Sequence, residues 1–481
     1  MLTYNLNRHG KEPLYEALYN AIKNDIQLGK LLPDEKLPSK RAFSKHLGIS
    51  TITVENAYNQ LLAEGYIYSI PKSGYYVSHI EPVVRERTRE HSSSNRLFSN
   101  KTSCNTSKET EKPAPTIFTD FSNNSINPKN FPFSIWTKLF RETMSENQEK
   151  LLSRSPSCGI YELRLAIANY LYGFRGMDVS PEQIVIGAGT EYLYSLLIQL
   201  LGRSLIFAIE DPGYHKIARI YEANQVNMQY IPSGKEGIDL AALFQSQANV
   251  VHLSPSHHFP TGVVTPIQIR MQLLRWASEQ AERYIIEDDY DSEFRMLGRP
   301  VPTMQSIDQS DKVIYMNTFT KTLSPTIRIS YMVLPKSLIS TFHEKLGFYS
   351  CTVPNFEQYT LAKFMDQGYF EKHINRMRTY YKNVRNTFLE CIKKQNNPKV
   401  HILEEHAGLH FLLKIDTDIS DEALQKRAFE QGLQISFLSQ FYQDQTQAPE
   451  HILLINYSAM ETSKIKETID RLWKALDFTS F

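Results

Sequence analysis

The sequence predicts an α/β protein in which a small helical unit with a β-hairpin precedes a larger body on a buried, parallel or mixed sheet. Length is one reason, because 481 residues exceed one ordinary domain. The second reason is that helical periodicity near the N-terminus gives way to a polar stretch. Beyond it, amphipathic helices alternate with short apolar strands. We expect units at residues 1–80 and 117–481, a flexible linker at 81–116, and a smaller C-terminal α/β part from about residue 367.

Composition excludes several functional classes. The 53 basic and 52 acidic side chains produce no global field that would steer the protein toward nucleic acid, so any DNA contact must be local. The four cysteines lack the spacing of metal ligands, which predicts reduced thiols and no metal site. No apolar run approaches membrane length and the N-terminus has no apolar leader. We therefore expect a cytoplasmic protein that does not contact a membrane.

The first 80 residues predict a winged helix-turn-helix. Apolar residues recur at helical spacing between Pro13 and Gly29. Ser39 begins a second helix that Gly48 ends, and Ser50 caps a third that runs to about Glu64. Alternating apolar residues around a Pro-Lys-Ser-Gly turn then predict a hairpin. Two helices joined by a short turn and followed by a hairpin are typical of DNA-binding proteins, although a small helical docking module has the same outline.

The third helix is predicted to enter the major groove of DNA. Its exposed face would offer base-contacting side chains from Thr51, Thr53, Asn56 and Tyr58. Phosphate contacts are expected from Lys40, Arg41 and Lys72.

Residues 10–80 resemble the GntR class of bacterial repressors. The resemblance rests on the segments PSKRAFSKHLGIS and GYIYSIPKSGYYV. This class often carries an arginine directly after the serine that caps the recognition helix, whereas this chain has Thr51. The base preference of the class is therefore not transferred to this chain.

In the body, polar motifs follow the apolar strands, and ligands of such sheets gather at the carboxyl ends of strands. The turn Gly187–Thr190 opens a helix whose first amides suit a phosphate group, although close packing alone also requires glycines in such turns. The turn Asp211–Tyr214 offers an aromatic ring that could cover a flat ligand, or is a plain β-turn.

The stretch Tyr284–Phe294 places five acids after the apolar residues of a buried strand. Asp288 is expected at the strand end with its carboxylate facing inward, where it needs a charged partner such as a protonated pyridine nitrogen. Tyr290 lies two residues further on the same face of an extended chain and could bond to an oxygen on the ring. The alternative is a solvated acidic loop.

The stretch Tyr315–Tyr331 breaks from an apolar strand into hydroxyls, one lysine and an arginine. The amine of Lys321 in a partly dry site would lose its proton easily and condense with an aldehyde. Thr318, Thr320 and Arg328 suit a phosphate group. The alternative is a strand end followed by a solvated loop.

Together these motifs resemble the fold-type I aminotransferases, which carry pyridoxal 5'-phosphate (PLP), from about Asp120 to the C-terminus. The resemblance implies that Lys321 is the Schiff-base lysine, Asp288 the partner of the pyridine nitrogen, Tyr290 the partner of the phenolic oxygen and Tyr214 the ring-stacking residue. The implied phosphate-binding residues are Gly189, Thr190, Thr318, Thr320 and Arg328.

The fusion of these two modules resembles the MocR or GabR type of bacterial transcription regulator. The resemblance implies a homodimer that binds double-stranded promoter DNA and a small-molecule effector. Aminotransferases of this type hold the substrate carboxylate with an arginine near the C-terminus, where this chain has Leu454. We therefore expect no steady-state transaminase activity. We hypothesise that PLP is both cofactor and effector, and that the protein controls vitamin B6 metabolism. The alternatives are a regulator that senses an amine or amino-acid derivative through an external aldimine, and an active aminotransferase.

Overall fold

The computed structural model describes residues 4, 13–70, 73–79, 117–122, 126–146, 148–294, 302–404 and 408–477. The predicted linker at 81–116 and the predicted phosphate contact Lys72 lie outside these residues. The chain divides into two compact units, Met1–Ser107 and Lys108–Phe481. Within the described ranges, no helix is long and apolar enough to cross a membrane.

The first unit is a winged helix, as the sequence predicts. Its elements are α1 Leu14–Gln27, α2 Lys40–Leu47, α3 Thr51–Ala63, and the antiparallel strands β1 Ile67–Ile70 and β2 Gly74–Val77. The Oγ of Ser39 accepts a hydrogen bond from the amide of Ala42, and the Oγ of Ser50 accepts one from the amide of Thr53. Gly48 ends α2 with φ of 66°, a left-handed conformation that glycine adopts without strain.

The core of this unit includes Tyr58, so the prediction that Tyr58 contacts DNA is wrong. Its ring is fully buried and lies edge-on to Tyr75, with 5.0 Å between ring centroids. Its hydroxyl donates a hydrogen bond to the carbonyl oxygen of Pro38 at 3.0 Å. The physical reason is helical spacing, because Tyr58 follows Val54 by four residues and precedes Leu61 by three on the same buried face.

The second unit is an α/β body. Its helices are α4 Phe133–Glu146, α5 Gln148–Leu152, α6 Tyr161–Arg175, α7 Thr190–Leu201, α8 His215–Ala223, α9 Leu240–Gln245, α10 Ile267–Ser278, α11 Met304–Ile307, α12 Ile339–Leu346, α13 Asn355–Asp366, α14 Tyr369–Lys394, α15 Asp421–Glu430 and α16 Ile465–Ala475. Its strands are β3 Thr119–Asp120, β4 Ile184–Gly187, β5 Ile206–Asp211, β6 Asn227–Gly234, β7 Gly237–Ile238, β8 Val250–Leu253, β9 Tyr284–Asp288, β10 Val313–Thr318, β11 Ser330–Val333, β12 Val400–Leu403, β13 His410–Ile415, β14 Leu433–Gln434, β15 Ser436–Phe437 and β16 Ile452–Asn456.

The main sheet has the order β4-β11-β10-β9-β8-β5-β6-β7 among the described strands. Strands β10, β9, β8, β5 and β6 are parallel, whereas β11 runs antiparallel to both β10 and β4. The central strands are buried along their whole length, which explains their nearly continuous apolar sequences. The predicted mixed sheet is confirmed, and its parallel strands end at one common edge.

A smaller antiparallel sheet follows near the C-terminus, with the order β12-β13-β16-β15. Its central pair β13 and β16 aligns Leu412 with Leu454. This sheet confirms the predicted smaller α/β part, and α14 and α16 contribute to the same apolar core as β13 and β16.

The buried position of Tyr58 predicts the effect of its substitution. We expect Tyr58→Ala to destabilise the winged helix by about 3–5 kcal/mol, because a large cavity replaces the ring. Native-state hydrogen exchange of the α3 amides in the full-length chain measures this loss.

The matched control is the exposed neighbour Asn59, whose replacement by alanine should change α3 stability by less than about 0.5 kcal/mol. If Tyr58→Ala left amide protection unchanged and altered only DNA affinity, the buried assignment would be wrong.

Candidate functional site

A cleft opens at the common edge where the parallel strands end. Eight of the nine residues that the sequence predicts for the cofactor line it: Thr190, Tyr214, Asp288, Tyr290, Thr318, Thr320, Lys321 and Arg328. The ninth, Gly189, lies against the guanidinium of Arg328. Residues separated by more than a hundred positions are thus brought together, because α7, α8, β9 and β10 all present an end at this edge.

Asp288 is the last residue of β9 and only 6% exposed. Its Oδ2 accepts a 2.5 Å hydrogen bond from the hydroxyl of Tyr194 and lies 3.6 Å from Nε2 of His252. Its Oδ1 is buried and has no hydrogen-bond partner among the described residues. A buried carboxylate oxygen without a donor is costly, so this atom is suited to a donor from a bound molecule.

The rest of the acidic stretch is also buried, which excludes the solvated acidic loop. Asp289 accepts a hydrogen bond from Nη2 of Arg175 at 2.6 Å and another from the hydroxyl of Tyr315 at 2.7 Å. Burial raises the pKa of Glu287 to about 7, and burial also raises the pKa of Glu293 to about 7. These acids thus form an internal polar layer beneath the cleft.

Lys321 lies in the turn after β10 and is 8% exposed. Burial lowers the pKa of its amine to about 7, although the charge of Asp291 acts in the opposite direction. A large fraction of this amine is therefore neutral near pH 7, and a neutral amine is the form that attacks an aldehyde.

Tyr290 occupies the turn beyond β9, where its hydroxyl lies 3.2 Å from Nδ1 of His257. The same nitrogen lies 2.8 Å from Oδ2 of Asp291. Because Nδ1 carries at most one proton, donation to Asp291 leaves it no lone pair to accept from Tyr290. The tyrosine hydroxyl can then donate into the cleft.

The opposite end of the cleft collects hydroxyls and a cation. The Oγ1 of Thr318 donates to the Oγ1 of Thr320 at 2.8 Å and accepts from the Oγ of Ser330 at 2.8 Å. Arg328 is partly exposed and adopts φ of 54°, and its guanidinium contacts the carbonyl oxygen of Ala188. Gly189 has φ of 93°, a conformation that other residues rarely adopt, and a Cβ there would also overlap this guanidinium. This end is suited to a phosphate group.

An apolar cluster that includes residues of the small sheet packs against one residue of the cleft lining. Leu454 is 1% exposed and packs in a cluster with Leu412 and Leu438. Phe259, which lines the cleft, packs against this cluster. Leu454, at the position where the resemblance places an arginine, offers no cation to a ligand carboxylate.

Sequence reasoning missed the residues that support the predicted ones. Tyr194 and His252 flank Asp288, and His257 and Asp291 flank Tyr290. One signal was present, because His252 stands in the otherwise apolar run of β8 and a polar residue on such a strand needs a partner. No comparable signal in the sequence indicates that the side chain of Tyr194 on α7 points toward Asp288.

In the first unit, only some of the side chains that the sequence predicts to contact DNA are exposed. Thr51, Asn56 and Arg41 are exposed, and Thr53 is half-buried. Lys40 is also half-buried, and its Nζ lies 2.6 Å from Oε1 of Glu55, an ion pair that raises the pKa of Lys40. A phosphate group would have to compete with Glu55 for this amine.

Two family models match the chain. Residues 14–77 match the bacterial regulatory proteins of the gntR family. Residues 119–472 match the class I and II aminotransferases. The first match covers the winged helix, and the second covers the body that contains the cleft.

Curated relatives share both parts. The chain is 38% identical to the uncharacterised HTH-type transcriptional regulator YdeL of Bacillus subtilis, over 98% of each protein. It is 30% identical to the probable rhizopine catabolism regulatory protein MocR of Rhizobium meliloti, over 98% of this chain and 95% of that protein. It is 28% identical to the pyridoxine biosynthesis transcriptional regulator PdxR of Corynebacterium glutamicum, over 91% of this chain and 90% of that protein.

A solved structure shares the fold of the body. The kynurenine aminotransferase of Pyrococcus horikoshii superposes with a TM-score of 0.67 at 26% identity, over 75% of this chain and 91% of that one. The fold-type I aminotransferase architecture predicted from the sequence is confirmed. The chain therefore belongs to the family of MocR-type HTH transcriptional regulators, in which a GntR-type winged helix is fused to a class I and II aminotransferase-like body.

Proposed function

We propose that this regulator binds PLP at Lys321 and that occupation of the cleft changes its affinity for promoter DNA. The observation that carries the proposal is the pairing, in one cleft, of a buried amine with lowered pKa and a buried carboxylate oxygen without a donor. PLP carries an aldehyde that can condense with the amine. Its ring nitrogen, when protonated, can donate a hydrogen bond to the carboxylate oxygen.

The other residues of the cleft support the same ligand. Tyr290 can donate to the phenolic oxygen of the ring, and Tyr214 has a ring at the cleft that can cover a flat ligand. The phosphate would lie near Thr318, Thr320 and Arg328, next to the first turn of α7 at Thr190. When bound, PLP would supply an electrophilic aldehyde and a cationic ring that accepts electron density.

We propose PLP itself as the effector, and the control of vitamin B6 metabolism as the role. PdxR, a relative at 28% identity, is named for pyridoxine biosynthesis. Leu454 also favours this hypothesis, because it stands where aminotransferases of this type carry an arginine, and leucine gives an amino-acid carboxylate no bidentate, charge-assisted contact. For the same reason we propose that the body is not a working transaminase.

A second candidate effector is an amine or an amino-acid derivative that reacts with the bound cofactor. The observation that favours it is the aromatic part of the cleft lining, which includes Phe259, Phe441 and Tyr230. Such rings suit an organic substituent that PLP alone would not fill. DNA-binding measurements with PLP alone distinguish the two candidates.

We further propose that the regulator acts in the cytoplasm as a homodimer on double-stranded promoter DNA. Two winged helices would then contact two half-sites. Arg41 and Asn56, both exposed, support DNA contact by α2 and α3. A ligand shifts such a system only if it binds one arrangement of the dimer more tightly than the other.

The first test concerns PLP and DNA together. We expect the purified protein to show an absorbance band from conjugation of PLP with the lysine amine, and Lys321→Ala to remove it. Added PLP should change the DNA affinity of the native protein by about fivefold or more, the usual size of an allosteric coupling. Absorbance spectra and fluorescence anisotropy with promoter DNA measure the two effects.

Lys336→Ala is the matched control for this test, because Lys336 is exposed on the same unit and does not line the cleft. Retention of the band in Lys321→Ala would contradict the assignment of the lysine. A native protein that shows the band but binds DNA equally with and without PLP would exclude PLP as effector and favour the amine candidate.

The second test concerns Asp288. We expect Asp288→Asn to weaken PLP binding by roughly 10- to 100-fold, because the substitution replaces a charged hydrogen-bond acceptor with a neutral amide. Equilibrium dialysis measures the affinity. Asp178→Asn, at an exposed position, removes the same charge and should leave the affinity unchanged. Equal losses in both variants would indicate that net charge, and not the buried carboxylate, holds the ligand.

The third test concerns the pH dependence of Lys321 in protein freed of PLP. Because the neutral amine is the reactive form, its labelling by a small aldehyde and borohydride should fall as pH drops through about 7. Lys23 is the internal control, since hydrogen bonds with Tyr19 and Glu64 raise its pKa and keep it charged. Peptide mapping by mass spectrometry compares the two. Parallel pH profiles would contradict the buried, neutral state of Lys321.

A further inference from the structure

The recognition helix α3 carries an exposed apolar side chain near its start. Ile52 is the second residue of the helix and is 68% exposed. The buried face of α3 is already supplied by Val54, Ala57, Tyr58 and Leu61, so Ile52 is not needed for the core of the winged helix. A single exposed isoleucine is ordinary on most surfaces, but this one lies on the helix that is inserted into DNA in this class of protein.

The hydroxyls on both sides of Ile52 already have partners. The Oγ1 of Thr51 lies 3.2 Å from the Oγ of Ser44, and the Oγ1 of Thr53 lies 2.8 Å from the Oγ of Ser50. These bonds tie the start of α3 to α2 and to its own capping residue. Ile52 is therefore an exposed apolar side chain between two threonine hydroxyls that are already engaged within the protein.

This turn also lacks the groups that read guanine. Guanine is most often recognised by arginine or lysine through two hydrogen bonds, and the first turn of α3 contains neither. Positive charge is supplied instead by Arg41 and Lys45, which are exposed on α2 and suit phosphates. In the major groove, the base feature that an apolar side chain contacts is the C5-methyl group of thymine.

We infer that Ile52 is a specificity-determining residue that packs on a thymine methyl group in each operator half-site. The inference rests on DNA binding by α3, which is part of the proposed function. It does not depend on the identity of the effector. It assigns the base preference to a methyl contact in place of the arginine contact that is frequent in the GntR class.

The test uses the full-length protein. A pool of random duplexes is selected for binding, and each thymine of the selected half-site is then replaced singly by deoxyuridine, which removes only the methyl group. At one thymine or more, we expect the replacement to weaken binding by the native protein about three- to tenfold, the effect of losing one buried methyl contact. Ile52→Ala should bind the thymine and uracil forms within about twofold of each other, and Ile52→Val should retain part of the difference.

Leu32→Ala is the matched control, because Leu32 is also exposed, at 63%, and lies outside α3. It should keep the full difference between thymine and uracil. Hydrogen exchange of α3 confirms that Ile52→Ala leaves the helix folded. The inference is overturned if the native protein tolerates uracil at every position, or if Ile52→Ala keeps the full difference. A protein that selects no duplex at all would contradict DNA binding itself, a separate result that also removes this inference.

Discussion

The cleft depends on one buried carboxylate with a single satisfied oxygen. Asp288 lies at the end of β9, between the parallel strands β8 and β10, where water cannot solvate it freely. Tyr194 holds one oxygen through a hydrogen bond, and the ring of His252 lies 3.6 Å from the same oxygen. A 2.7 Å hydrogen bond between the hydroxyl of Tyr221 and Nδ1 positions that ring. The orientation of the second oxygen is therefore set by the hydrogen bond from Tyr194, with the ring of His252 packed beside the carboxylate. A ligand that donates to this oxygen binds in one orientation.

Features that depend on local sequence could be predicted. The bounds of the three N-terminal helices follow from caps and glycines, and Ser39, Gly48 and Ser50 behave as their residue types dictate. The mixed sheet follows from apolar runs separated by helices. The cleft lining follows from the rule that ligands of such sheets bind at strand ends, and from motifs that stand directly after strands.

Features that depend on tertiary contacts could not be predicted. Tyr58 is predicted on the exposed face of α3, yet it packs against Tyr75 and its hydroxyl bonds to a backbone carbonyl in the interior. The acidic stretch was ambiguous because its neutralising partner, Arg175, lies 114 residues before Asp289. The support of Asp288 by Tyr194 was missed because the two are separated by 94 residues. Pairings at such distances in the sequence leave no local pattern.

The buried ion pair of Arg175 and Asp289 has an evolutionary consequence. Both side chains are almost fully enclosed, so the loss of either one would leave an uncompensated charge in the interior, at a cost of about 3–5 kcal/mol. That cost is a large share of the stability of a typical domain. A substitution at one position is therefore expected to be tolerated only when the other position changes with it.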